Sequence, residues 1–306
     1  MSGKMGKRPC LCMKQIGKWI TILIPIIIAI GNLWGQTNAG VNALKAAGEL
    51  PTAVAYTTRQ VTLQITMIHI QWYEKTAINS DGIQQTVALS SVRNIDKGLG
   101  TLLSYQDATL LISHDHWSHL TSTVVPDIVQ FHDADGRFFL EIPGDTFSQL
   151  ILFRDGGTLI LRAPQTLMAQ PPDAAAIGHV ASLKPGDIVF VAHRQANQSD
   201  KVMLIATEVL AIEFRNTLPL LSLRNLNGQA IEPGDSGGGV WLNGRFIGNL
   251  WLTVREVHHD WRRFNRPVEI GTARSYAAGL TEDLLQLGQT LLESQELPPL
   301  QSSGPS

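Results

Sequence analysis

From Val61 the chain alternates. Val61, Leu63, Ile65 and Met67 are apolar, and Thr62, Gln64 and Thr66 between them are polar. This period of two is the mark of a strand with one buried face. Ile68 and Ile70 flank His69 where the run ends. Short segments of strand character recur at 86–92, 100–104, 109–112, 137–142, 149–153 and 158–161. The second half continues with 188–192, 202–212, 220–223, 239–242 and 245–254. Many are separated by turn pairs: Asp81-Gly82, Asp135-Gly136, Pro143-Gly144, Pro185-Gly186 and Asn243-Gly244. Regular short strands with such punctuation predict an all-β fold, a sandwich or barrel. Periodicity changes at 281–293, where Leu284, Leu285, Leu287, Leu291 and Leu292 share a helical face. Thr281 precedes Glu282 and Asp283 as a helix start. The polar stretch 294–306 predicts a disordered tail. No internal repeat is evident.

The N-terminal pattern is of another kind. Lys4, Lys7, Arg8, Lys14 and Lys18 precede an apolar run at 19–34, interrupted only by Thr21, Pro25, Gly31 and Asn32. Cations before an apolar run orient its start toward the cytoplasm. The run is long for a signal-peptide core and short for a full span. Two readings stay open: a cleaved signal, with small residues near 37–43 for the cut, or an uncleaved anchor. Both put the remainder outside the cytoplasm, secreted or membrane-anchored. The expected plan is a basic region at 1–18, a signal peptide or transmembrane anchor at 19–35, a stalk at 36–58 and one folded domain at 59–293. Cys10 and Cys12 are the two cysteines, and both precede the apolar run. No disulfide can therefore form after it, and packing alone must hold the domain. A net charge of −2 over 306 residues gives no electrostatic case for nucleic acid as a partner.

Candidate chemistry gathers at Pro233-Gly234-Asp235-Ser236-Gly237-Gly238-Gly239-Val240. A serine flanked by glycines suits a backbone bent too sharply for most side chains. Such a bend presents the hydroxyl and aims successive N–H groups at one point, as nucleophile activation and oxyanion binding require. A hairpin with an Asn243-Gly244 turn follows directly. Gly-Asp-Ser-Gly-Gly leading into this hairpin resembles the trypsin-like (chymotrypsin-fold) serine peptidases, here of a bacterial type without disulfides. The resemblance implies a double β-barrel with a C-terminal helix over 59–293. It also implies a serine endopeptidase acting on polypeptide substrates without a cofactor.

A serine needs a base, and the base a carboxylate. The family order His, Asp, Ser then assigns the base to the end of the apolar strand Leu110-Leu111-Ile112-Ser113. His116 takes that position, with His114 next in line. The orienting acid falls on Asp155, before Gly156-Gly157 and the apolar stretch 158–161, where a plain turn role also stays open. The N–H groups of Gly234 and Ser236 match the oxyanion donors. Asp235 is expected to pair with an internal donor, since no Ile-Val-Gly-Gly-like activation sequence is present. Ala230 falls at the base of the primary pocket and carries no charge. Trp251 and Thr253 fall on its wall. Together they imply a preference for a small or medium apolar side chain before the cleaved bond.

Two rival readings use the same residues. His114, His116 and His119 follow an apolar strand and resemble the His-x-His-x-Asp-His zinc motif of the metallo-β-lactamase fold. Ser118 stands where that motif has its aspartate. His258-His259-Asp260, beside Trp261, Arg262 and Arg263, reads as a solvated loop. The other rival is a catalytically inactive binding module on a peptidase-like fold.

Overall fold

The protein is described by a computed structural model over residues 58–294, apart from 79, 81–82, 107, 118–124, 165–174, 196–200, 216–217, 227–230, 255–256, 261–265 and 270–273. The expected signal or anchor, nearly all of the stalk, the tail beyond Ser294, Ala230 and His119 lie outside these residues. Among the described residues no helix is long and apolar enough to cross a membrane.

The fold is mostly β. Its first half holds β1 (Thr62–Ile78), β2 (Gln84–Tyr105), β3 (Ala108–Ser113), β4 (Ile128–His132), β5 (Phe138–Pro143), β6 (Ile151–Asp155) and β7 (Thr158–Arg162). These form one sheet in the order β5-β4-β1-β2-β3-β7-β6. The short helix α1 (Gly144–Gln149) connects β5 to β6. The second half holds β8 (Ile188–Gln195), β9 (Lys201–Arg215), β10 (Leu218–Asn225), β11 (Gly239–Leu242), β12 (Arg245–Val254) and β15 (Arg274–Gly279). These close into a barrel, β10-β15-β12-β11-β8-β9. Between β12 and β15, β13 (Val257–Asp260) and β14 (Arg266–Glu269) pair with each other alone, so residues 258–260 belong to a strand rather than a loop. Helix α2 (Glu282–Ser294) ends the described chain.

Among the described residues one barrel is closed, and where the first of two barrels was expected there is a seven-stranded sheet whose end strands do not pair. Its edges are β5 and β6, and the chain between them turns into α1 rather than continuing as strand. Phe147 of α1 is fully buried, with its ring centroid 6.3 Å from that of Phe131.

The alternation from Val61 is realised in β1, whose first half is largely buried. The register of β1 on β2 shifts between His69 and Ile70, and beyond it the ribbon is solvent-exposed on both strands. Trp72 is 65% exposed there. The Asn243-Gly244 turn has positive φ at both central residues, 50° and 75°, which defines a type I′ hairpin and sets the β11–β12 pairing. Thr281 caps α2, its Oγ1 accepting from the Leu284 N–H at 3.3 Å. Leu284 and Leu285 are buried, and α2 packs on β3, β6 and β7 of the open sheet, the half that carries the candidate base.

Side chains and backbone tie the two sheets together beside the candidate residues. The Leu99 N–H of β2 donates to the Ser236 C=O at 2.8 Å. Within the first sheet, the Ser113 hydroxyl of β3 braces Leu99 by donating to its C=O at 2.7 Å. From the barrel, Asn249 Nδ2 donates to the Gly157 C=O at 2.9 Å, and the Thr158 hydroxyl donates to Asn249 Oδ1 at 3.0 Å.

Candidate active site

The serine turn is built by backbone. Pro233 and Gly234 are the central residues of a turn closed by the Asp235 N–H donating to the Glu232 C=O at 3.1 Å. Proline first and a glycine with φ of +99° second make it a type II turn. A Cβ on Gly234 would lie 2.5 Å from an Arg194 guanidinium nitrogen. Gly237, φ +85°, leaves no room either, since its Cβ would fall 2.0 Å from the Leu99 C=O oxygen. The turn is latched to β12: the Gly237 N–H donates to the Leu250 C=O, and the Leu250 N–H to the Gly238 C=O, both at 2.7 Å.

Asp235 anchors the turn from inside. It is 1% exposed. Its Oδ2 accepts from His193 Nδ1 and from the Glu232 N–H, both at 2.7 Å, and its Oδ1 accepts from the Arg194 N–H at 2.8 Å. The expected internal donor is thus His193 of β8, with two backbone N–H groups beside it. Sequence reading did not single out His193, because it continues the apolar run of β8 and carries no motif of its own.

The histidine loop follows β3. His116 lies there with Nε2 at 3.2 Å from the Ser236 Oγ, although 120 positions separate them in the chain. The serine hydroxyl also lies 3.4 Å from the Trp251 C=O. Partial burial pushes the His116 imidazole below the ordinary histidine value, Asp115 raises it in opposition, and Arg154 adds to the lowering. The other candidate, His114, is 3% exposed, and burial holds it well below that value, with His116 and Arg154 adding to the effect. Its ring stacks on Trp117 and tilts against His116, at centroid distances of 4.2 Å in each case. Neither of its ring nitrogens has a hydrogen-bond partner among the described residues. His116, not His114, is the imidazole brought to the hydroxyl.

Asp155 is not brought to His116. It closes the β6–β7 turn, its Oδ1 accepting from the Gly156 N–H at 2.7 Å, the ordinary role of an aspartate before glycine. Among the described residues, the carboxylate within 4 Å of the His116 ring is that of Asp115, with Oδ1 3.9 Å from Nδ1. Asp115 Oδ2 accepts from the Gly157 N–H at 2.8 Å, and its Oδ1 from the Trp251 indole N–H at 3.1 Å. Sequence reading missed Asp115. Its only local signal is adjacency to His116.

A cleft of about 680 Å³ opens beside these groups, lined by His116, Ser236, Ile231, Leu250, Trp251 and Thr253 among others. The expected wall residues Trp251 and Thr253 therefore border it. Among the described residues, which do not include His119, no group of three or more His, Cys, Asp or Glu side chains could hold an ion. His116 instead directs Nε2 to the serine hydroxyl.

No family model and no curated protein matches this chain. Among solved structures it is similar to HtrA-type protease AlgW with tripeptide, at 13% identity over 78% of this chain and 62% of that one, with a TM-score of 0.48. An AlgW variant with decapeptide gives 14% identity, 79% and 67% coverage and a TM-score of 0.46. Rv3671c from M. tuberculosis, in an inactive form, gives 13% identity, 80% and 93% coverage and a TM-score of 0.44. The chain thus spans only 62–67% of the length of these AlgW chains. What it is similar to, in the AlgW cases, is an HtrA-type protease holding a peptide.

Proposed function

We propose that this protein is a serine endopeptidase in which Ser236 is the nucleophile and His116 the general base. The single observation that carries the reading is the 3.2 Å contact between His116 Nε2 and Ser236 Oγ, made from different sheets onto one cleft. That distance is hydrogen-bond reach for proton abstraction. The lowered proton affinity of His116 supports the role, since a base must be neutral to act. Ser236 Oγ attacks the scissile carbonyl carbon while its proton passes to His116 Nε2. The tetrahedral oxyanion is received by the N–H groups of Gly234 and Ser236. The type II turn at Pro233-Gly234 supports that role, because it fixes the Gly234 peptide before substrate arrives. His116 then protonates the leaving amine, and water repeats the sequence on the acyl-enzyme.

The substrate is a polypeptide chain. It adds as a strand along residues 251–253 of β12, whose side chains line the cleft. Ile231, Leu250 and Leu252 give the cleft an apolar lining, which favours a small or medium apolar side chain before the cleaved bond. The basic and apolar N-terminal segment makes the site extracytoplasmic in this reading.

A fluorophosphonate probe tests the proposal. The wild-type chain is expected to be labelled on Ser236. Ser236→Ala should lose both labelling and peptide cleavage, a fall on the order of 10⁶-fold in turnover. Cleavage that survives in Ser236→Ala would refute the mechanism, and an unlabelled, folded wild type would favour an inactive binding module.

A further inference from the structure

We propose that Asp115, the residue directly before the base, is the positioning acid of this site, holding His116 from its Nδ1 side while Ser236 occupies the Nε2 side. The inference rests on the Ser236–His116 reading above and deepens it. The imidazole has two nitrogens, and each faces a different group: Nε2 the hydroxyl at 3.2 Å, Nδ1 the Asp115 Oδ1 at 3.9 Å. A carboxylate on Nδ1 selects the tautomer with the proton there, leaves Nε2 free to accept, and stabilises the imidazolium that forms.

The surroundings of Asp115 are built for an anion. Two donors from two separate elements converge on its oxygens, the Gly157 N–H of the β6–β7 turn and the Trp251 indole N–H of β12. Gly157 is itself fixed from the far side, because its carbonyl accepts from buried Asn249, whose own amide oxygen accepts from Thr158. Any other residue at Gly157 would disturb this frame: φ is +91°, and a Cβ would sit 2.9 Å from the Trp251 ring. A position before the apolar strand β7, where a carboxylate was expected, thus contributes a backbone N–H, and the carboxylate comes instead from the loop of the base. Asp155 is engaged by its own turn.

At 3.9 Å the pair interacts through charge and not yet through a hydrogen bond. Catalytic hydrogen bonds are commonly long before substrate binds and tighten in the complex. Other charged or titratable groups face the loop: His114 beside the ring, Arg154 of β6, Asp96 and Lys97 of β2 and Arg194 of β8. Arg154 Nε donates to the Asp115 C=O at 2.8 Å.

The test uses the full chain, a fluorophosphonate labelling rate and turnover of fluorescein-labelled casein, each followed between about pH 5 and pH 9, where imidazole titrates. Asp115→Asn is expected to lower kcat by about 10²-fold or more with KM little changed. Its acid limb should move to lower pH, because the removed charge had favoured the imidazolium. Asp115→Glu should recover part of the rate and return the limb toward its original position. Asp155→Asn should stay within about twofold of wild type, as a turn residue away from the ring would. Wild-type rates and an unmoved limb in folded Asp115→Asn would overturn the assignment while leaving Ser236 and His116 in place. A comparable loss in Asp155→Asn would overturn it too. If Asp115→Asn does not fold, Asp155→Asn and Asp115→Glu decide. A folded wild type that takes no label fails at the earlier step, the serine chemistry itself.

Discussion

The serine turn and the histidine loop face each other across one cleft and are built by opposite means. Around the serine nearly every restraint is backbone or a buried carboxylate: Asp235 takes three donors, Gly234 and Gly237 hold positive φ, and Ser236 itself is fixed through its carbonyl to Leu99. Around the histidine, side chains carry more of the restraint: the Trp251 indole, beside the Gly157 backbone N–H, holds Asp115, and the His114 ring packs against both His116 and Trp117. His114 even leaves both ring nitrogens without a hydrogen-bond partner among the described residues, a cost in stability. In the proposed mechanism the nucleophile is thus held by backbone latched to the barrel, and the base largely by side-chain contacts. Lesions in the first region should appear as lost stability, and lesions in the second as altered rate and pH dependence.

The sharpest way to break this contrast is to delete the two aspartates in turn. Asp235→Ala strands His193 and two backbone N–H groups in a buried site, and should destabilise the fold by about 3–5 kcal/mol. Asp115→Ala removes two hydrogen bonds from a partly exposed carboxylate, and should cost about 1–2 kcal/mol. Denaturant unfolding of both variants checks the order. Equal losses would mean that the histidine loop is as deeply built into the fold as the serine turn.

The contrast also explains what could be read in the chain. The serine turn was legible because its determinants are contiguous: Gly-Asp-Ser-Gly-Gly needs only itself and the following Asn243-Gly244 hairpin, whose positive φ values follow from those two residues. The proposed base, His116, was nearly as plain, ending an apolar strand. The proposed acid, Asp115, was not. The donors that fix Asp115 come from 42 and 136 positions away, and no local spacing announces them. Asp155 has the better local pattern, and its carboxylate accepts from its own turn. Elements failed for similar reasons. The segments 86–92 and 100–104 belong to one strand, β2: the polar stretch Arg93-Asn94-Ile95-Asp96-Lys97 between them resembles a turn, yet residues 94–97 pair in register with 66–69 of β1. β15 was missed because Ala277, Ala278 and Gly279 give little apolar contrast, though the barrel buries all three. The open first sheet was not foreseen, since strand periodicity does not say which sheet edges pair.

A finer probe of the side-chain-built half is Gly157→Ala. The substitution meets both a positive φ and the Trp251 ring, and should cost about 1–3 kcal/mol. Gly186 is the control: its φ is +96°, yet a Cβ there meets nothing within 4 Å. Gly186→Ala should therefore carry the backbone strain alone, about 1 kcal/mol, with labelling of Ser236 unchanged. Gly157→Ala should in addition slow labelling, because displacing Trp251 removes a donor from Asp115. If both variants label like wild type, the Trp251–Asp115 contact contributes nothing to the base.

The smallest expected effect belongs to Arg154, which stands on the exposed edge of β6 and lowers the proton affinity of His116 by charge. Neutralising it favours the imidazolium, so the acid limb of the labelling rate should move to higher pH in Arg154→Gln and stay in place in Arg154→Lys. At pH values above the limb, where His116 is neutral in every variant, the rates should agree within about twofold, because proton transfer itself is untouched. The difference between the two variants should shrink as salt is added, since charges near the surface are screened over about 8–10 Å at physiological ionic strength. The Asp115 effect, acting at 3.9 Å on a partly buried ring, should survive the same salt. A limb that moves equally in Arg154→Gln and Arg154→Lys would mean that the hydrogen bond from Arg154 Nε to the Asp115 carbonyl, and not the guanidinium charge, sets the base, and that the histidine loop is held by backbone after all.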